Sequence, residues 1–230
     1  MKIVVNHLTR MLSGYICVAG VDVATRQHVR PMSKTNLRPN LLAEHGGPFA
    51  MAAVVDLGPV KSKAVRPEVE DRLFDPARAR VVKTLERGRF WNMLTQVAER
   101  KLTTLFGEEL HQVGAASCAV DTDTGQASLG CLVPEAPPDL YVRKRSGRRP
   151  QVRMRLTDGT FEVDVGVADL RLYGADHKTP DVGLVEVVAE QLRSGRATVL
   201  SVGLTRPYAP TPDQRPVHWL QVNNIHFEPR

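Results

Sequence analysis

The chain has 230 residues, 42% hydrophobic and 24% charged, with a formal net charge of +6. That composition excludes disorder as the main state, and the length gives room for two small domains, each with a modest core. No stretch comes near the roughly 18–20 apolar residues of a membrane span, and the opening MKIVVNHLTR is broken by Asn6, His7 and Arg10, so a cytoplasmic protein with no membrane partner is expected.

Lys2–Met11, Tyr15–Val23 and Gln27–Met32 are rich in Val and Ile, are separated by short turns, and predict an opening β-meander. TNLRPNLLAEHGGPFA predicts a loop or a single helical turn, AMAAVVDLGPV a buried strand, and RPEVEDRLFDPAR an irregular, polar segment. Trp91, Leu94, Ala98, Leu102 and Leu105 recur at helical spacing and predict one helix over about 89–106, stopped by Gly107. Short strands follow at Ser117–Asp121, Ala127–Val133, Val152–Leu156, Thr160–Val167 and Asp169–Tyr173. A second helix is predicted over about 180–193, with Thr179 as its N-cap and Gly195 as its stop. TVLSVGLTRPY and VHWLQVNNIHF close the chain as paired strands. The last has no clean apolar face unless a β-bulge at Asn223–Asn224 shifts its alternation. Leu220, Val222, Ile225 and Phe227 then point inward, and Trp219, Gln221, one Asn and His226 outward. His218 falls inward, as a structural histidine.

There is no regular alternation of strands and helices, so no parallel nucleotide-binding sheet is expected. The pattern is mainly β with a few helices (α+β): two successive small barrels, residues 1–112 and 113–230, with about one helix each. The strings GYICVAGVDVATRQHVRPMS, GGPFAMAAVVDLG, LSVGLTRPY and HWLQVNNIHF resemble the dual OB-containing domain, a bacterial family of two successive OB-like barrels. That resemblance implies a nucleic-acid-binding role and supplies no catalytic residues.

Charge is unevenly placed. Residues 1–115 hold 17 basic and 11 acidic residues, and 116–230 hold 14 of each, yet RKRSGRRPQVRMR packs seven basic residues into thirteen positions. Arg143, Lys144, Arg145, Arg148, Arg149, Arg153 and Arg155 are therefore the first candidates for phosphate contact, since a guanidinium suits bidentate phosphate binding and stacking on bases. The stretch up to Pro150 reads as a loop, and QVRMRL as a strand with Arg153 and Arg155 on one face. Arg10, Arg30 and Arg206 each end a predicted strand and are candidates to ring a groove, though solvated surface charge explains them as simply. Aromatic content is only 5%, so any stacking platform rests on a few rings, Trp219 first, with Gln221, Asn224 and His226 beside it.

Cys17, Cys118 and Cys131 lie far apart without metal-ligand spacing, and no metal or other cofactor is expected. GxSxG, GxxxxGK[ST] and GxGxxG are all missing, and His7, His28, His218 and His226 have no carboxylate constellation, so catalytic residues are not expected. The expected function is non-catalytic binding of single-stranded DNA or RNA. A protein-docking adaptor of a multi-gene bacterial system is the alternative, and a nucleic-acid-processing enzyme ranks below both. Nucleic acid is the partner expected first, and a protein second.

Overall fold

The computed structural model describes residues 1–230, except for the side chains of Leu12 and Arg148. The first half contains β1 (Lys2–Arg10), β2 (Ile16–Asp22), β3 (His28–Met32), β4 (Ala53–Asp56), β5 (Lys61–Ser62), β6 (Asp71–Leu73) and β7 (Arg80–Thr84), ordered β5-β6-β3-β2-β1-β4-β7 in one sheet. Strands β1, β2 and β3 form the expected meander, and β6 then joins β3 in parallel, Arg30 opposite Asp71. Ile3, Val5, Val18, Phe49, Val55 and Leu57 fill this core.

The chain continues through α1 (Arg87–Val97), β8 (Ala98–Glu99), α2 (Leu102–Phe106), β9 (His111–Val113), β10 (Ser117–Asp121) and β11 (Leu129–Leu132). The remaining elements are β12 (Asp139–Arg145), β13 (Arg148–Thr157), β14 (Glu162–Val167), α3 (Val182–Arg193), β15 (Thr198–Leu204) and β16 (Val217–Phe227). The second sheet runs β12-β13-β14-β16-β15-β11-β8, with β10 on the first part of β16. Strands β12 to β14 are again a meander whose third strand takes a later strand in parallel, Gly166 opposite Gln221. The protein is thus mostly β, with two sheets and two OB-like halves, as expected.

A third apolar cluster joins the halves. Val4, Val21 and Val54 from the outer face of the first sheet, and Cys131 and Val199 from the second, enclose Phe90, Met93 and Leu94 of α1. This explains why β1 and β15 are buried almost without alternation: each has its own core on one face and the junction on the other.

Several elements differ from expectation. The single helix over 89–106 is two, because its stripe serves two cores: Phe90, Met93 and Leu94 face the junction, whereas Leu102, Leu105 and Phe106 face the second core. Between them Ala98–Glu99 is extended against β11, and the Asp158 carboxylate accepts from Leu102 N at 2.7 Å to start α2. Asp181, not Thr179, caps α3 by accepting from Leu184 N. Asp169–Tyr173 is not a strand. Asp169 accepts from Arg171 N and opens a 3-10 turn there. The segment expected to be irregular contains β6, and DLYVRKR, expected to be partly loop, is the strand β12.

Candidate nucleic-acid interface

The outer face of the second sheet follows from its register. Tyr141, Arg153, Gly166 and Gln221 lie side by side on β12, β13, β14 and β16, so their side-chain positions form one row on one face. The alternate positions, Leu140, Val152, Met154, Val165, Leu220 and Val222, are buried in the core beneath. In the neighbouring row Asp164 accepts from the Tyr141 hydroxyl at 2.6 Å and from Arg153 Nε at 3.0 Å, and Arg153 also donates to the Asp164 carbonyl. Burial raises the Asp164 pKa, but the Tyr141 hydroxyl and the Arg153 charge outweigh it and hold the carboxyl below its ordinary value. The ionised Asp164 therefore fixes Arg153 across the face. The Arg155 guanidinium lies 4.9 Å from the Tyr141 ring centre and 3.5 Å from Asp139.

Gly166 is informative because nothing local demands a glycine. Its φ is not in the left-handed region, and a Cβ built on it meets only Arg153 Nη1, at 4.0 Å. Glycine weakens a strand interior, and one that serves no bulge or bend suits a place where a ligand could approach the backbone closely. Here it leaves open floor between Arg153 and Gln221.

The row runs out at both ends into cationic and aromatic groups. At one end is the β12–β13 hairpin, where Arg143, Arg145, Arg149 and Gln151 line a cleft of about 30 Å³ and Arg143 donates to Gln151 Oε1 at 3.1 Å. Partial burial first, and then the neighbouring charges of Arg153 and Arg145, lower the Arg143 pKa. Lys144 is exposed at the same tip. The side chain of Arg148 lies outside the described residues. At the other end Trp219 is half-buried, donates from Nε1 to the Tyr208 carbonyl at 3.1 Å, and holds its ring 6.2 Å from that of Tyr208, which is 51% exposed.

The other candidates lie elsewhere. Arg30 is buried and bonded to Asp71 at 2.6 Å; Arg206 bridges Glu68 and Asp71 at 2.9 and 2.7 Å; Arg10 stacks 4.2 Å over Tyr173. These three join chain segments and form no ring around a groove. His218 is buried against the Thr205 carbonyl, in a structural role.

The bulge in β16 is present: Ser201 faces Asn224 and Val202 faces Val222, which leaves Asn223 as the extra residue. Its outer row past that point, however, meets the first half and not solvent. Strand β1 is itself irregular at Asn6, between Val5 and His7. Asn224 Oδ1 accepts from Leu8 N at 2.8 Å and its Nδ2 donates to Leu8 O at 3.2 Å, so one carboxamide substitutes for a neighbouring strand. Asn223 Nδ2 lies 3.0 Å from His7 Nδ1, Asn6 Nδ2 donates to Ser201 Oγ at 3.2 Å, and His226 Nε2 lies 2.9 Å from the same hydroxyl. Asn224 is 0% and His226 5% exposed, so neither has surface to offer a ligand. The Ser201–His226 pair resembles a nucleophile and its base only in distance, because Ser201 is also fully buried.

The residues missed from the sequence are of two kinds. Gly166 and Asp164 belong to the face, and the signal was a glycine inside an alternating strand. Glu68, Glu70 and Asp71 belong to the junction, where Glu70 accepts from Ser128 N, Ser128 Oγ and Leu129 N across the halves at 2.8–3.0 Å. Three acids within PEVED were the signal there.

A family model for the dual OB-containing domain matches residues 1–225. The chain belongs to that family. No curated protein matches it. Membership in the dual OB-containing family agrees with the paired meanders and their parallel fourth connections. It assigns no reaction, since one fold hosts many functions. Among the described residues no cluster of three or more His, Cys, Asp or Glu is placed to hold a metal, and no helix is long and apolar enough to cross a membrane.

Proposed function

We propose that the second OB-like half of this dual OB-containing protein binds single-stranded nucleic acid, without catalysis, across the face built on Arg153, Gly166 and Gln221. The observation that carries the reading is the row itself: a guanidinium held by Asp164, an open glycine floor, a carboxamide, a basic hairpin at one end and the Tyr208–Trp219 pair at the other. In OB folds the face of the second and third strands and the loops flanking it contact oligonucleotides. Here β13 and β14 are those strands, and the β12–β13 and β15–β16 loops flank them. Guanidinium groups would follow the phosphates while the rings and the glycine floor accept bases, a division suited to strands without duplex pairing.

The test is fluorescence anisotropy with labelled oligo-dT and oligo-U over a salt series. Engagement of about four cations predicts a slope of log K against log salt near −3. Gly166→Glu, which fits without strain but puts bulk and charge on the floor, should weaken binding by about tenfold with unchanged thermal stability. Absence of binding at low salt, or binding indifferent to both salt and Gly166→Glu, overturns the reading.

A further inference from the structure

A second surface, on the first half, has the chemistry of a docking edge. Strand β7 ends its sheet: it pairs with β4 on one side, and among the described residues no strand pairs with the other. All five of its residues are exposed, including Val81 at 48% and Val82 at 50%. An open edge with apolar side chains is a template for an added strand. Beside it helix α1 covers only part of the sheet's outer face and leaves an open cleft of about 300 Å³, with Val4, Val21, Val54 and Met93 as its floor and Arg26, Lys83 and Arg89 at its rim. Lys83 belongs to both features, so edge and cleft are continuous.

Charge decides the occupant. Arg26, Lys83, Arg87 and Arg89 are exposed, and among the described residues none has an acidic group within ion-pair distance. Arg80 stands opposite Asp56, itself beside the N-terminal amine; Asp22, in the turn that carries Arg26, accepts from Ala24 N, Thr25 N and Thr25 Oγ1, and Glu86 precedes Arg87 in the chain. A second copy of this edge would bring Arg80 and Lys83 against their own kind, and the register irregularity at Val82 further disfavours flat self-pairing. An acidic guest removes the charge conflict and meets the Val82 irregularity on one strand only, where a self-pair carries it on both. We infer that β7 and the adjoining cleft dock an extended acidic segment of a partner protein, which adds a strand at the free edge, sets an apolar side chain over the Val4–Val54 floor and places carboxylates against Lys83, Arg26 and Arg89. This surface is separate from the nucleic-acid face of the second half, and either assignment can fail alone.

Selection of a random dodecapeptide phage library on the immobilised full-length chain tests it. Expected is enrichment of peptides alternating Asp or Glu with Val, Ile or an aromatic residue. As synthetic labelled peptides these bind the native chain and lose about tenfold in affinity to the double variant Lys83→Glu, Arg89→Glu. Val82→Pro, which removes one N–H from β7, reduces binding similarly; should it not fold, the charge variant alone decides. Circular dichroism and the urea midpoint, which depend on neither binding assignment, serve as the controls for the charge variant's fold. No enrichment, enrichment of peptides without acids, equal binding to the charge variant, or concentration-dependent dimers in light scattering overturns the inference.

Discussion

His226 rests edge-on against the Phe90 ring, 5.5 Å between centres, with Nε2 2.9 Å from Ser201 Oγ. Burial first, then the Arg171 charge, lower its pKa from 6.5 to about 3, against a smaller pull from Asp169 and the Asn6 carbonyl. The folded state therefore keeps this ring neutral where the unfolded chain takes up a proton. The stability it supports is present above pH 6.5 and is lost as pH falls below that value towards 3. Between pH 8 and pH 5 the loss from this one group is about 2 kcal/mol. His226→Gln sets an amide where Nε2 stands, keeping a donor for Ser201, but cannot titrate. In urea titrations at the two pH values, native protein should lose about 2 kcal/mol more than the variant; equal losses would show that the ring is not the titrating group.

Helix α1 is the element on which the junction turns, since Leu94 is fully buried among residues of both sheets. Leu94→Ala should cost about 2–5 kcal/mol, read from the urea midpoint. A cost near that of an exposed site would mean that the helix does not fill the junction. The same helix shows what sequence can and cannot reveal. Its hydrophobic spacing is legible, as are the opening meander, the α3 helix and the bulge near Asn223, because each leaves a local mark of period or composition. What buries a position is not local. A stripe running from Trp91 to Leu105 looks the same whether one core or two receive it, and only the second core separates α1 from α2. Likewise Asn224 and His226 carry polar groups that read as a solvent face, until β1 covers them. For the candidate site, the basic run and Trp219 were visible in the sequence. Their sharing of one face with Gly166 depended on pairings between strands far apart in the chain.

At the scale of the molecule, the two halves are joined by an apolar cluster around α1, the Glu70 and Asn224 contacts, and the Arg206 bridge to Glu68 and Asp71. Breaking the junction would hand the contacts of Glu70, Ser201 and Asn224 over to water, each a net loss of about 0.5–3 kcal/mol, largest for the charged Glu70. Neither half can melt without exposing these groups on the other. Calorimetry should therefore give one transition, with matching calorimetric and van't Hoff enthalpies. Two resolved transitions would show the halves to be independent.

The contact between His7 and Asn223 spans 216 positions of sequence. Strand β1 is made early and has a buried face waiting for β16, which leaves the ribosome long afterwards. Until then Asn6 and the backbone of Leu8 have only water to bond. The first half thus spends much of its synthesis with an unfinished side, and contacts of such long range make folding slow. Unfolded and half-made chains are the forms in which the apolar edge at Val81 and Val82 has least of the protein around it, so the cations beside it also protect the nascent chain from pairing with its neighbours.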